Sequence, residues 1–297
     1  GVPLTTKEGR TPLPNTGPSH SGSTAAPVQV AVLMACHNRR VGTLKCLAAL
    51  SKQQDANAEL LLYLTDDGST DGTATAVAET WPGAHILHGD GSLYWAASMA
   101  LAERAAWWSE PDYLLWLNDD SALAEVGLAR LLHQAKRTPD TVLVGCVADP
   151  ITREPTYGGR MRVDGHPQRL RRLPIARHAQ FADTFNGNVV LIPASVRARV
   201  GPIDGLFPHA YADDDYGLRA RALGVQIVQV PGVTAWGEIN PNGLNLSGGI
   251  LERWRQLQSP KALPWRGQAR FLRRHAGFRW PALLVAGQMS RVLGRRQ

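Results

Sequence analysis

The stretch LLLYLTDDGSTDGT at residues 60–73 joins a continuous apolar run to an acidic turn. An unbroken apolar run is typical of a strand buried on both faces, whereas a strand with one wet face alternates apolar and polar residues. The same order, an apolar run before a polar loop, recurs at residues 28–35 and 113–117, and helical spacing follows at residues 43–50. Strands that alternate with helices predict a mostly parallel, Rossmann-like sheet with helices on both faces.

The remaining segments extend this α/β prediction. We expect further strands at 84–87, 141–147, 185–192 and 225–230, and helices at 96–108 and 213–223. Residues 158–172 begin with a Gly-Gly pair and alternate in polarity, which is typical of a hairpin or meander.

The composition is that of a globular protein. With 297 residues, 44% of them hydrophobic, the chain can bury the core of one large domain with appendages. Three cysteines without CxxC spacing indicate buried, reduced thiols. No apolar run approaches the roughly 20 residues that span a bilayer, and no signal-peptide pattern is visible. We therefore expect a cytoplasmic protein, soluble or peripheral on the inner face of the cell membrane.

The net charge of +7 is concentrated toward the end of the sequence. The basic residues there are Arg253, Arg255, Lys261, Arg266, Arg270, Arg273, Arg274, Arg279, Arg291, Arg295 and Arg296. No nucleic-acid-binding motif accompanies them, so we expect no nucleic-acid partner. We predict that apolar residues among these arginines contact the inner membrane: Phe271, Leu272, Phe278, Trp280, Leu283 and Leu284. The alternatives are a helix packed on the rest of the chain or against a second copy in a homodimer.

Three polar loops follow predicted strands. They are residues 36–39 after the first strand, 66–67 after the second and 118–120 after the fourth. In an open parallel sheet, ligands bind outside the carboxyl ends of the strands, where such loops converge. The three loops therefore predict one site at one rim of the sheet.

Asn118-Asp119-Asp120 follows a buried strand and projects carboxylates into the predicted cleft. Hard oxygen ligands suit Mg or Mn, and such an ion would bridge two phosphates and neutralise a leaving group. Asp120 is the first candidate metal ligand and Asp119 the second. The alternative is an acidic turn that caps the following helix.

Asp66 and Asp67 offer carboxylates that could accept a hydrogen bond from the imide N–H of uracil or thymine. Their turn also carries Ser and Thr residues before a helix, which are ordinary capping residues. Residues 89–95, GDGSLYW, could wrap the same ligand, with Trp95 as a flat apolar surface.

Asp213, Asp214 and Asp215 stand at the start of a predicted helix. The helix dipole favours acids there, but three in succession exceed that need. A positioned carboxylate is the usual base for an attacking hydroxyl, and Asp213 is our candidate. Residues 183–188, DTFNGN, form either a wall for an acceptor or sugar, or a tight turn.

Taken together, residues 28–238 resemble the family 2 glycosyltransferases of the GT-A fold. The motifs that carry the resemblance are DDGSTDGT at 66–73, LNDD at 117–120, FNGN at 185–188 and DDDYGLRAR at 213–221. GSLYW with LWLNDD, FNGN and DYGLR is similar to the rhamnosyltransferase branch. The resemblance implies an inverting, metal-dependent transfer of a sugar, with rhamnose favoured, in bacterial surface polysaccharide synthesis such as O-antigen.

The resemblance also implies residue roles, with a dTDP- or UDP-linked sugar as donor and a glycan or lipid-linked saccharide as acceptor. The expected donor-binding residues are Ala35, Asn38, Arg39, Asp66, Asp67, Trp95, Asn118 and Asp119. The expected acceptor-binding residues are Asn186, Asn188 and Asp215, although Asp215 also suits a role in supporting the loop or the helix cap. Asp120 would hold the metal and Asp213 would be the catalytic base. The chain departs from the family pattern at Asn118, where a carboxylate is lost, and after the last strand, where residues 233–238 contain no histidine and Glu238 is the candidate substitute.

These roles divide the chain into a flexible tail (1–27), a catalytic domain (28–240) and a basic helical extension (241–297). Within the catalytic domain, residues 28–120 would bind the nucleotide and 121–240 the acceptor. A sugar-phosphate nucleotidyltransferase is the alternative enzyme, although the glycine-rich basic phosphate loop that it needs is absent from residues 36–39. A UDP-hexose is the alternative donor, and a basic binding protein without catalysis is the third reading.

Overall fold

A computed structural model describes residues 26–53, 56–239 and 246–294, and shows helices around two β-sheets. The strands are β1 (Val28–Cys36), β2 (Ala58–Asp67), β3 (His85–Gly89), β4 (Tyr113–Leu117), β5 (Ala122–Leu123), β6 (Thr141–Ala148), β7 (Pro155–Tyr157), β8 (Gly159–Arg162), β9 (Leu170–Arg172), β10 (Gln180–Phe181), β11 (Thr184–Phe185), β12 (Val189–Pro193) and β13 (Gln226–Trp236). The helices are α1 (Arg40–Ser51), α2 (Thr73–Thr80), α3 (Tyr94–Trp107), α4 (Gly127–Arg137), α5 (Ala194–Val200), α6 (Ala212–Ala222), α7 (Ile250–Leu257), α8 (Trp265–His275) and α9 (Trp280–Val292). Almost all of the predicted flexible tail lies outside the described residues.

The large sheet confirms the predicted α/β fold. Its main strand order is β10-β13-β6-β12-β4-β1-β2-β3, and β3, β2, β1 and β4 run parallel to one another. The first strand shows why its apolar run is continuous. Ala31 and Leu33 pack in one hydrophobic core, while Val30, Val32 and Met34 pack in another, and all five are fully buried. Both faces of the sheet are therefore covered.

One central strand is reversed. β12 runs antiparallel to β4 on one side and to β6 on the other. An antiparallel strand brings the residues before it, not after it, to the rim where parallel strands end. Val189 pairs with Leu117, and the Asn118 N–H donates to the Asn188 carbonyl at 2.9 Å. The segment 186–188 thus reaches the loop that follows β4.

The single strand predicted at 185–192 is wrong. Its first part, β11, pairs with β8 in a separate three-stranded sheet ordered β11-β8-β9, and only β12 belongs to the large sheet. The hairpin predicted within 158–172 is the β8–β9 pair of this small sheet. The last predicted strand is longer than expected, because β13 continues past Pro231-Gly232 with register shifts after Gln229 and Val233.

The three C-terminal helices pack on the rest of the chain. Phe271 and Leu272 are 1% and 0% exposed and belong to a hydrophobic core, so the prediction that they contact a membrane is wrong. Trp280, Leu283 and Leu284 are half-buried against the same core. Among the described residues, no helix combines the length and apolar character that crossing a bilayer requires.

Candidate active site

Three cavities at the rim of the large sheet share lining residues and form one cleft. The first cavity (about 410 Å³) and the central cavity (about 260 Å³) are both bordered by Arg39, Trp95, Asp119 and His209. The third cavity (about 400 Å³) meets the central one at Asn186 and Asp213. A further side cavity of about 500 Å³ borders Arg39, Asp120 and Glu238. The three polar loops predicted to converge do so here.

The two acids of the DDGST turn have different surroundings. The Asp66 carboxylate accepts from the Ser69 N–H at 3.0 Å within its own turn, and Asp66 borders none of the cleft's three cavities. Asp67 borders the first cavity, and its two oxygens accept from the N–H groups of Gly91 (2.8 Å) and Tyr94 (2.9 Å). Asp67 therefore shapes the GDGSLYW loop, and of the two acids it is the one that borders the cleft.

The loop after β1 is fastened to the same turn. Asn38 has a positive φ of 50°, its side-chain oxygen accepts from the Thr70 N–H at 2.7 Å, and its own N–H donates to Ser69 Oγ at 2.8 Å. Ala35 and Arg39 border the first cavity, but Asn38 does not. Asn38 therefore joins the two loops, and its contact with the donor stays a prediction.

Asn118 orients a tryptophan. Its side-chain oxygen accepts from Trp95 Nε1 at 2.8 Å, so an amide at this position holds the indole at the edge of the central cavity. Gly187 packs against the six-membered ring of the indole, and a Cβ there would lie 2.6 Å from two of its carbons. Position 118 therefore carries an amide that binds the Trp95 indole, where the family pattern has a carboxylate.

Asp119 and Asp120 lie beside a single guanidinium. Arg39 Nε is 3.6 Å from Asp119 Oδ2, and Arg39 Nη2 is 3.5 Å from Asp120 Oδ2. Burial raises the pKa of Asp119 to about 7, although Arg39 opposes the shift and Asp120 adds to it. Asp119 Oδ2 is buried without a hydrogen-bond partner among the described residues. A buried carboxylate oxygen without a hydrogen bond is costly, and an ordered water or a bound ion can supply the missing partner.

A divalent cation fits this pair. Within residues 26–53, 56–239 and 246–294, no group of three or more His, Cys, Asp and Glu side chains is placed to hold a metal. Mg²⁺, however, is commonly bound through one or two carboxylates together with substrate phosphates. Asp119 and Asp120 supply two carboxylates, and one of them carries the unpartnered oxygen. Glu238 borders the side cavity with Asp120, without forming a third ligand.

The acids at the start of α6 separate into one open and two closed carboxylates. Asp213 borders the central and third cavities, and its oxygens accept from the N–H groups of Gly187 (3.0 Å) and Asp214 (2.9 Å). Asp214 forms a tight ion pair with Arg160, whose guanidinium is 4.0 Å from Asp213. Asp213 is therefore the acid of this group that faces the central cavity.

Asp215 does not reach the cleft. It is 0% exposed, and its carboxylate is bound by Arg219 at 2.8 Å, Arg274 at 2.6 Å and His275 at 2.9 Å. Burial would raise its pKa, but the hydrogen bonds from these three side chains outweigh burial and lower it. The expected contact between Asp215 and an acceptor is replaced by a structural role, since this acid fastens α8 to α6.

The two asparagines of the FNGN segment lie at the cleft. Asn186 borders the central and third cavities. Asn188 is 5% exposed, borders the central cavity, and donates from its amide to Ser121 Oγ at 3.2 Å. Both positions remain candidates for contact with a sugar.

Several cleft residues carry no sequence signal. His209 borders the first and central cavities, and burial lowers its pKa despite the attraction of Asp213. Lys261, which comes from the segment between α7 and α8, borders the first cavity. Arg160 and Arg291 border the third. These residues are far apart in sequence and belong to no motif, so only the fold could bring them together.

The fold and the cleft together define a glycosyltransferase of the GT-A type. The family described as glycosyl transferase family 2 matches residues 31–193, which is more than half of the chain. The chain therefore belongs to glycosyl transferase family 2. No curated protein matches the sequence significantly.

Solved structures of low sequence identity share the fold. A mannosyltransferase, PcManGT from Pyrobaculum calidifontis, in complex with GDP-Man and Mn2+, is similar with a TM-score of 0.57 and 16% identity over 92% of this chain and 74% of that one. TarS of S. aureus, residues 1–349, is similar with a TM-score of 0.54 and 13% identity over 90% of this chain and 79% of that one.

Proposed function

We propose that this glycosyltransferase moves a sugar, with rhamnose favoured, from a nucleoside-diphosphate donor to an acceptor hydroxyl with inversion at the anomeric carbon. The observation that carries the proposal is the central cavity, which is bordered on one side by Asp119 and Asp120 and on another by Asp213. A leaving diphosphate needs positive charge, while an attacking hydroxyl needs a base. The cavity offers a place for both requirements.

The carboxylate of Asp213 would take the proton of the acceptor hydroxyl. The hydroxyl oxygen would form its bond to the anomeric carbon as the bond from that carbon to the diphosphate breaks on the opposite face. A charge develops on the sugar ring during this exchange. The N–H donors of Gly187 and Asp214 fix the orientation of the Asp213 carboxylate. Fixed orientation favours the transfer because the base need not be ordered during the reaction.

Asp119 and Asp120 would hold a Mg or Mn ion, which when bound supplies charge neutralisation to the diphosphate. Arg39 borders the first and central cavities and offers a second positive charge toward the same group. Trp95, held by Asn118, would cover the donor at the junction of these two cavities. Weak or optional metal dependence is in keeping with a guanidinium already beside both carboxylates.

The first cavity would bind the nucleoside, with Ala35 and Asp67 at its border. The Asp67 carboxylate can accept one more hydrogen bond, so an imide N–H of uracil or thymine suits it. Donors linked to dTDP or UDP follow from this chemistry, and bacterial surface polysaccharide or glycoconjugate is the proposed product. The nucleotidyltransferase alternative has no support from the family match.

Contact with the inner membrane stays a prediction, with revised residues. The exposed apolar residues of the C-terminal region include Phe278 (93% exposed), Val285 and Met289, near the exposed arginines Arg273 and Arg279. This combination suits an anionic lipid surface. Sedimentation with anionic and with zwitterionic vesicles, using Phe278→Ser as the variant, tests it, and equal binding of both proteins to both vesicles would contradict it.

A panel of nucleotide sugars tests the proposed function. The full chain is melted with dTDP-rhamnose, UDP-hexoses and GDP-mannose, with and without Mn²⁺, because a ligand that binds the native state raises Tm. GDP-mannose is included in the panel because the structure of PcManGT contains it. We expect one dTDP or UDP donor to raise Tm, and Mn²⁺ to increase the rise in the wild type but not in Asp120→Asn. The proposal fails if no nucleotide sugar raises Tm and none is consumed in the presence of glycan acceptors.

A further inference from the structure

The third cavity reaches Asp213 from a side that the other two cavities do not share. It is bordered by Asp213 and Asn186, which also border the central cavity, but by none of residues 118–120. A molecule in the third cavity can therefore present a group to Asp213 while a nucleotide occupies the first cavity. Its volume of about 400 Å³ is within the range that holds a small saccharide.

The C-terminal helices build part of its wall. Leu263 lies just before α8, Phe271 belongs to α8 and Arg291 to α9, and all three border the third cavity. In the first and central cavities, Lys261 is the only lining residue that comes from this part of the described chain. The basic extension thus contributes mainly to the cavity beyond Asp213.

A buried chain of glutamines holds this wall in place. Gln288 donates to Gln268 at 2.7 Å, Gln268 donates to Gln168 at 3.0 Å, and Gln168 donates to the Tyr211 hydroxyl at 3.2 Å. Gln268 and Gln288 are 0% and 4% exposed. Buried polar networks of this kind fix a single arrangement because each broken hydrogen bond leaves an unsatisfied group. The network ends at a hydroxyl that borders the third cavity.

Tyr211 is held in a strained conformation at this point. Its φ is 77°, in the left-handed region that favours glycine, and it directly precedes α6. Its ring stacks on Phe271 with centroids 5.0 Å apart. Burial raises the pKa of its hydroxyl to about 12, so the group remains a neutral donor. Strain that the surrounding structure maintains is typical of functional positions.

Two guanidiniums, of Arg160 and Arg291, and two carboxylates, of Asp213 and Asp214, border the third cavity. Arg160 pairs with Asp214. Arg291 donates to the neutral Gln268 side chain at 3.2 Å and forms no ion pair within the described part of the chain. A planar guanidinium at a cavity wall is a preferred partner for a carboxylate or a phosphate, because it can donate two parallel hydrogen bonds.

We propose that the third cavity is an acceptor subsite for a saccharide that carries an anionic group, and that Arg291 binds this anion. The inference rests on the proposed function, since it takes Asp213 as the base that receives the acceptor's proton. Tyr211, Gln168 and Asn186 would bind sugar hydroxyls, and the anion would set which hydroxyl faces Asp213. The shared chemistry of the anion is a carboxylate or phosphate oxygen pair.

Matched pairs of probes distinguish the two sources of the anion. Methyl glucuronide against methyl glucoside tests a carboxylate on the sugar. A sugar joined to a short alkyl diphosphate, against the alkyl glycoside of the same sugar, tests the phosphate of a lipid-linked acceptor. Calorimetry on the full chain, loaded with a nucleotide that the Tm panel has identified, gives the affinity for each probe.

We expect the anionic member of one pair to bind about tenfold or more tightly than its neutral twin. Arg291→Gln is expected to remove this preference while nucleotide binding stays unchanged. Arg255→Gln, which removes an exposed arginine of α7, is the matched control and should keep the preference. Arg291→Lys retains the positive charge and should keep part of the preference for the anionic probe.

Two results would overturn the inference. One is equal binding of charged and neutral twins by the wild type in both pairs, and the other is a preference that Arg291→Gln leaves intact. If Arg291→Gln is too unstable for calorimetry, the wild-type comparison of charged and neutral probes, together with Arg291→Lys, still tests the inference. A chain that binds nucleotide sugar but shows no anion preference contradicts only this inference, whereas a chain that binds no nucleotide sugar contradicts the proposed function.

Discussion

Two acidic clusters border the cleft, and they hold their carboxylates in opposite ways. After β4, Asp119 and Asp120 share one guanidinium at 3.6 Å and 3.5 Å, and one buried oxygen of Asp119 has no hydrogen-bond partner among the described residues. At the start of α6, Asp215 has Arg219, Arg274 and His275 within 2.9 Å, and Asp214 has a tight pair with Arg160. In the first cluster two carboxylates share one guanidinium, whereas in the second Asp215 alone is bound by two guanidiniums and a histidine.

Structural acids and acids that are available to a substrate differ in their cationic partners and in their access to a cavity. Position at a strand end or a helix start is common to both clusters. What distinguishes Asp213 from its two neighbours is that its nearest guanidinium is 4.0 Å away, while it borders two cavities. A buried acid with several cationic partners is committed to the fold, because removing any partner leaves a charge unpaired.

The largest expected effect is on catalysis and tests the open acid of the second cluster. Asp213→Asn should lower kcat about 10³-fold, which is equivalent to about 4 kcal/mol, because the amide cannot take the acceptor's proton. Donor affinity should stay within about twofold of the wild-type value. Steady-state kinetics with the donor found in the Tm panel measures both quantities.

Asp164→Asn, in an exposed turn, is the matched control and should behave like the wild type. Full activity of Asp213→Asn would contradict the assignment, since the acid that faces the central cavity would then have no part in the reaction.

The second effect is on stability and tests a closed acid. Asp215→Asn should lower the free energy of unfolding by about 3 kcal/mol, because Arg219, Arg274 and His275 lose the charge that they surround. Urea unfolding of the variant, the wild type and Asp164→Asn measures this difference. A loss no greater than that of the control would mean that the contacts of Asp215 with these three side chains contribute nothing to the fold.

The smallest effect concerns pH and Asp214. Burial raises the pKa of Asp214 to about 7 against the pull of Arg160, while an unfolded Asp titrates near 3.9. Between these values the native state binds more protons than the unfolded state, so this group makes the free energy of unfolding fall as pH rises from about 4 to 7, with no further change above. From pH 5 to 6.5 the fall is at most about 2 kcal/mol, the limit set by one proton.

Asp214→Asn removes this proton. The wild type should therefore lose stability relative to Asp214→Asn as pH rises through the window, in urea unfolding at pH 5, 6.5 and 8. A difference between the two proteins that is the same at all three pH values would show that Asp214 titrates alike in both states.

The sequence predicts the first part of the fold well because its signals are local. The apolar runs of β1, β2 and β4 are continuous, and each is followed by its polar loop, so the rim and its acids can be placed without coordinates. The reversed β12 could not be predicted. Its apolar residues suit a buried strand of either direction. The chain leaves strand conformation at residues 186–188 because β11 pairs in the small sheet and β12 in the large one.

Ion pairs between residues far apart in the sequence also could not be predicted. Arg274 and Asp215 are 59 positions apart, and nothing in the basic C-terminal composition distinguishes an arginine that anchors α8 from one that faces solvent. The same composition led to the wrong assignment of Phe271 and Leu272, which lie in a core. His209 and Lys261 reach the first cavity only because the chain folds back over it.

The reversed strand also limits how this enzyme could be re-engineered. β12 belongs to the second half of the catalytic region, yet it lies directly against β4 of the first half, and its leading residues contact both Asn118 and Asp213. A chimera that exchanged residues 28–120 for those of another enzyme would have to recreate the pairing of β4 with β12 in the middle of the sheet. Substitutions in the loops around the first cavity, the proposed donor site, would leave the pairing of β12 with β4 intact.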